Sequence, residues 1–155
     1  MGRAIYTVDT TAAVALVATT AKTTLSVIAP SQFGVDLLAF WVSFDGVSPT
    51  AAPVLWELCS FTVAGGGTST DESSTITQEG GRSITTGFTA RSAYTVEPTV
   101  LAPIKASILT PNGGFYEYEY LWPDSPDSPV SQGFALRLTA PAVVNARAGF
   151  RFARS

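Results

Sequence analysis

Glu117 and Glu119 stand two residues apart in the run Phe115-Tyr-Glu-Tyr-Glu-Tyr-Leu-Trp122. On an extended strand this spacing puts two carboxylates on one side, roughly 7 Å apart, and a carboxylate pair is the equipment of a glycosidase. Catalytic carboxylates normally come from separate strands across a cleft, so an acidic face, solvated or between subunits, is the stronger expectation. Asp71, Glu72 and Glu79, or Asp124 with Asp127, carry oxygen ligands of the kind calcium takes, but without the spacing of a calcium loop. The three glycines at 65–67 precede polar loop rather than helix, which argues against a phosphate-binding turn. Cys59, the only cysteine, lies in the apolar run Val54-Leu-Trp-Glu-Leu-Cys-Ser-Phe61, where a small buried hydrophobe is expected rather than a reactive thiol. The chain has no histidine, which removes the Ser-His and Cys-His nucleophile pairs and the histidine metal triad. No catalytic, cofactor-binding or metal site is expected.

These residues must be positioned by strands. Apolar runs are short and β-branched, and ten prolines and thirteen glycines interrupt them. The clearest strands are Ala4–Val8, Thr23–Ala29, Val35–Asp45, Val54–Val63, Leu101–Leu109, Phe115–Leu121, Gly133–Thr139 and Val143–Phe152, with weaker ones at Ala13–Val17 and Ser83–Phe88. Leu38, Phe40, Val42 and Phe44 alternate onto one face of their strand. Val144, Ala146, Ala148, Phe150 and Phe152 line one face of the last strand, and Asn145, Arg147, Gly149 and Arg151 line the other. Glu117 and Glu119 share a face with Phe115 and Leu121, opposite Tyr116, Tyr118, Tyr120 and Trp122. Phe40, Val42, Phe44, Leu136, Leu138, Phe150 and Phe152 are the expected interior. Two connections are long, a polar glycine-rich one at 64–81 and a proline-stiffened one at 122–129. The fold class is all-β: residues 1–155 form one two-sheet antiparallel sandwich, first as a jelly roll and second as an immunoglobulin-like arrangement.

Charged residues make up 14% of the chain against 46% hydrophobic, leaving few charges to cover an isolated surface. A net charge of −3 and two lysines, Lys22 and Lys105, supply no patch to displace counterions from nucleic acid. No apolar run approaches the ~18–20 residues of a membrane span, and the N-terminus lacks a signal-peptide layout. Synthesis and folding in the cytoplasm are therefore expected. Arg137, Arg147, Arg151 and Arg154 all fall in the last nineteen residues, suited to an acidic partner surface or to an acidic strand of a neighbouring subunit.

The stretch Leu38-Ala-Phe-Trp-Val-Ser-Phe-Asp-Gly-Val-Ser-Pro-Thr-Ala-Ala-Pro-Val-Leu-Trp-Glu-Leu58 resembles a pattern in small head proteins of tailed bacteriophages and prophages. There a strand ending in Ser-Phe-Asp-Gly leads through Ser, Thr and Ala to Pro-Val and the next strand. Leu136-Arg-Leu-Thr-Ala-Pro-Ala-Val-Val-Asn-Ala-Arg-Ala-Gly-Phe-Arg-Phe152 resembles the closing strands of that group, and Glu117-Tyr-Glu-Tyr-Leu-Trp-Pro123 its aromatic-acidic strand. The resemblance spans most of residues 35–153 and rests on strand-and-turn texture. It implies a capsid decoration, or cement, protein of jelly-roll type: a trimer on the outside of the virion head, partnered by the major capsid protein and bridging capsomers. Three Trp, five Tyr and nine Phe beside only two lysines suit such interfaces. A receptor- or glycan-binding module of a phage tail or fibre is the alternative, with Trp122 as an aromatic platform.

Within that reading, residues 1–12 are expected as an arm that adds an edge strand to the capsid, with Arg3, Ile5, Tyr6 and Asp9 as its contact residues. The competing expectation makes the same residues the first strand of the sandwich. Glu117 and Glu119 of one subunit are expected to meet Arg147 and Arg151 of another.

Overall fold

The structure is a computed structural model that describes residues 4–45, 52–62 and 68–155. Arg3, the turn glycine Gly46 and the triple glycine at 65–67 lie outside the described residues. In chain order the strands are β1 (Ile5–Asp9), β2 (Val14–Leu16), β3 (Ala21–Ile28), β4 (Val35–Phe44), β5 (Val54–Phe61), β6 (Thr70–Asp71) and β7 (Thr77–Gly80). They continue as β8 (Thr89–Ser92), β9 (Leu101–Leu109), β10 (Phe115–Glu119), β11 (Asp127–Ser128), β12 (Gly133–Thr139) and β13 (Val144–Arg154). A short 3-10 turn at Ser73–Thr75 is the only helical element among the described residues.

Two antiparallel sheets pack as a sandwich. The first runs β10-β4-β13-β1-β7, with β11 beside β4 and β2 beside β13; the second runs β6-β8-β3-β12-β5-β9. The eight strands with the clearest alternation make the frame, wound as one folded-back hairpin. The first of them pairs with the last (β1 with β13), the second with the seventh (β3 with β12), the third with the sixth (β4 with β10) and the fourth with the fifth (β5 with β9). This is the jelly-roll order. The described residues 68–100, between β5 and β9, are an insertion whose short strands extend the first sheet past β1 and the second past β3.

Alternation explains the core. Phe40, Val42, Trp56, Leu58, Leu136, Leu138, Phe150 and Phe152 are fully buried between the sheets, and Phe44 is half-buried at the margin of the same cluster. At Leu38 the alternation breaks. Pairing of β4 with β13 steps from Ala39–Arg151 to Leu37–Phe152, so Leu38 is a bulge residue and Leu37 takes the inward place expected of it.

The N-terminal arm is corrected: Ile5–Asp9 is an inner strand, paired with β13 on one side and β7 on the other. Tyr6 and Val8 are fully buried, and Tyr6 stacks on Phe152 at 5.9 Å between centroids. Alternating apolar residues with two partners hold this segment in the sheet, and Tyr6 is closed to any other molecule. Residues 83–88 form no strand; the strand begins at Thr89, and Phe88 instead plugs the core edge against Phe152 at 4.8 Å. Trp122 also departs from its expected face, because β10 ends at Glu119 and the ring lies outside the sandwich.

Candidate interaction surface

The outer face of the first sheet carries most of the residues the sequence singles out. Pairing aligns Glu119, Ala39, Arg151 and Thr7 in one row across four strands, and Glu117, Trp41, Gly149 and Asp9 in the next. Ala39 is too small to block its row, and over it Arg151 Nη1 reaches Glu119 Oε1 at 3.0 Å. On its other side Arg151 Nε reaches Glu79 Oε2 at 2.8 Å, and Glu79 also accepts a hydrogen bond from the Thr7 hydroxyl. That hydroxyl, and then Arg151, hold the Glu79 carboxyl below its ordinary value. Arg151 and Glu119, expected to meet across a subunit boundary, meet here within one chain, because only β4 separates their strands.

In the adjacent row the indole of Trp41 lies flat over Gly149. A Cβ at position 149 would stand 2.0 Å from the ring, so only glycine admits this packing. Trp41 Nε1 donates to Asp9 Oδ1 at 2.9 Å. Partial burial raises the Asp9 carboxyl above its ordinary value, against the opposing pull of that hydrogen bond and of Arg147. Arg147 is exposed and donates to the Thr10 carbonyl at 3.4 Å, while Glu117 is exposed and makes no ion pair among the described residues.

Glu72, Glu97 and Asp71 are engaged by donors of the chain itself. Glu72, 2% exposed, accepts from the Thr11 N–H at 3.2 Å, from the Thr11 hydroxyl and from Ser92 Oγ at 2.7 Å. Glu97 accepts from the N–H and the hydroxyl of Thr23 in the same manner. Each carboxylate lines a shallow hollow, of about 340 Å³ beside Glu97 and about 210 Å³ beside Glu72, but its oxygens are already engaged by the chain's own donors. Asp71 caps Ser73, whose hydroxyl and N–H lower the Asp71 pKa. Asp71, Glu72 and Glu79 thus diverge, and no group of three potential ligands gathers among the described residues. Burial closes the Cys59 thiol to solvent and pushes it up to about 11.

The unsatisfied surface lies elsewhere, at the side of the sandwich where both sheets end, β9 closing one and β10 the other. Tyr116, Tyr118 and Tyr120 fill the gap between them: Tyr116 stacks on Trp56 at 4.7 Å, and Lys105 Nζ lies 3.8 Å from the Tyr118 ring centroid. Burial and the neighbouring tyrosines push the Tyr120 hydroxyl up to about 12. Outside this seal, exposed apolar side chains stand on both flanks: Ile108, 64% exposed, beside Leu55 on the outer face of the second sheet, and Phe115, 58% exposed, beside Ser43 on the outer face of the first, with Leu121 78% and Trp122 70% exposed after β10. β9 would be an open template for another strand, but Pro103 removes a donor, Ile104 is bulged out of the pairing and Lys105 turns inward; such features guard an edge. Sequence reasoning missed this surface. The signal was present in the apolar residues that flank the alternating run, Phe115 before it and Leu121-Trp122 after it.

No family model matches the chain, and no curated protein matches it. Among solved structures, those of infectious bursal disease virus strains Gx and Gt align with TM-scores of 0.24 and 0.23, at 10% and 12% identity. The alignments cover 97% of this chain and 42% and 40% of those chains, so the chain spans about two fifths of their length. Similarity at that level carries no argument about fold or role.

Proposed function

We propose that this chain is a structural virion protein that binds the outer surface of a tailed-phage capsid as a trimer and stabilises contacts between capsomers. The observation that carries the reading is the β9–β10 side, where Ile108, Phe115, Leu121 and Trp122 face water on a chain with only 14% charged residues. An apolar surface of this kind marks a place another molecule covers. A decoration protein needs rigid shape and repeated weak contacts rather than chemistry, and avidity over many copies supplies the affinity. In this reading the contact surface is the β9–β10 side and not the N-terminal segment. Glu117 and Arg147, both exposed, are the charges available across a subunit boundary, whereas Glu119 and Arg151 hold each other.

The test is the copy number in purified virions, measured by gel densitometry with light scattering on the isolated protein. The reading expects abundance comparable with the major capsid protein and a mass three times 16.2 kDa. A handful of copies per virion would contradict it. That outcome would favour a tail or fibre module that binds glycans, for which the exposed Trp122 ring is the supporting observation; quenching of its fluorescence by host surface glycans would then be expected.

A further inference from the structure

We propose that residues 93–100 form a strap closed over the outer face of the second sheet, and that it opens as a unit while the eight-strand frame stays folded. This inference is independent of the reading above. The segment leaves β8 after Ser92 and enters β9 at Leu101, and β3, β12 and β5 lie between those two strands. Its hydrogen bonds place it on the face away from the core. Tyr94 Oη meets Ser26 Oγ at 2.8 Å, the Tyr94 N–H donates to the Thr23 carbonyl at 3.3 Å, and Glu97 accepts from the Thr23 N–H at 2.6 Å and from the Thr23 hydroxyl. The crossing explains an otherwise odd burial. Ser26, Ala135 and Cys59 alternate outward from Val27, Leu136 and Leu58, yet all three are closed to solvent.

The strap itself is lightly attached. Of its residues only Tyr94 and Pro98 are buried, while Val96 and Val100 are exposed by more than half. It contains no strand, and near its start Thr95 is hydrogen-bonded to Thr68, through the backbone at 3.0 Å and through the side chain. Both of its ends are in the left-handed backbone region, Ala93 at φ 51° and Val100 at φ 57°, a conformation that a β-branched residue adopts only under constraint. Beside the first of these hinges, where the Ala93 N–H meets the Thr24 carbonyl, the fully buried Thr24 hydroxyl has no partner. Few apolar contacts, polar pins and strained ends are the makings of a segment that opens before the rest.

Labelling of Cys59 with an aromatic disulfide reagent in the full chain reads the opening directly. Removing the acceptor with Glu97→Ala deletes two hydrogen bonds to a charged group and should speed labelling roughly tenfold, with unfolding still cooperative. In the wild type, labelling should depend only weakly on urea below the unfolding transition, because little surface is uncovered. That second measurement stands even where Glu97→Ala fails to fold. An unchanged rate in a folded Glu97→Ala protein would overturn the proposal. So would wild-type labelling that rises with urea as steeply as global unfolding, since Cys59 would then be reached only by unfolding the frame.

Discussion

Phe40, Trp56, Leu136 and Phe150 meet between the sheets of the frame with their side chains wholly buried, whereas residues 68–100 are held to that frame by the pairing of β7 with β1 and of β8 with β3 and by carboxylates and hydroxyls. The insertion contributes few large apolar anchors, chiefly Phe88 and Tyr94, and beyond its strand pairing it depends on Glu72, Glu79 and Glu97 reaching back to Thr11, Thr7 and Thr23. The two regions share the same sheets but not the same source of cohesion. Apolar packing is non-directional and scales with buried area, so it holds through small distortions. A buried carboxylate is held only while its donors are in place, and losing them leaves a desolvated charge. A frame of the first kind can carry an attachment of the second kind that moves.

The contrast can be broken from either side. The largest effect is expected for Phe150→Ala, in the strand between β4 and β1: about 3–5 kcal/mol of global stability lost, measured by urea denaturation. A loss below about 1 kcal/mol would mean that the frame is not the cohesive part. Glu72→Ala should cost about 1–3 kcal/mol by orphaning the Thr11 and Ser92 donors, and limited proteolysis should then cut within residues 68–92 before the frame. Gly149→Ala should cost about 1–2 kcal/mol, because Trp41 must swing off β13 and surrender its bond to Asp9. A red shift of tryptophan emission would report that movement.

The smallest effect concerns acid. The Glu79 carboxyl is lowered in the folded state, so the stability it contributes is present above its unfolded pKa and is lost as pH falls through the folded value. With its side chain 38% exposed, solvent screening holds the contribution below about 1 kcal/mol. Wild type and Glu79→Gln should therefore differ in melting temperature near neutrality and converge toward pH 3. A constant gap across that range would separate the effect from the carboxylate's charge.

How much of this was legible in the sequence follows from the same contrast. Period-two alternation marks Phe40, Val42, Phe150 and Phe152 locally, so the eight frame strands can be read from neighbouring residues alone. The outward faces of Arg147, Arg151, Glu117 and Glu119 are legible for the same reason. That Arg151 finds Glu119 in its own chain was not, because the contact depends on β10 and β13 flanking β4. The bulge at Leu38 leaves no local mark either. In the insertion, β6 has two residues and β7 four, too few for a period to show. Glu72, next to Asp71, and Glu97, between Val96 and Pro98, show no pattern that points to Thr11 and Thr23, partners 61 and 74 residues away. The Ile5–Asp9 segment shows the limit clearly: its alternation suits an edge strand on a partner or an inner strand of its own sheet, and only β7, supplied by the insertion, makes it inner.

Native-state hydrogen exchange, read amide by amide in low urea, tests the separation of frame from insertion most directly. The account predicts that Val27, Leu136 and Phe150 exchange only through global unfolding. The Glu72 amide, bonded to the Ala90 carbonyl, and the Thr95 amide, bonded to the Thr68 carbonyl, should exchange through openings of lower free energy and weaker urea dependence. If all five amides merge onto one opening with the urea dependence of global unfolding, frame and insertion are a single cooperative unit and the account is contradicted.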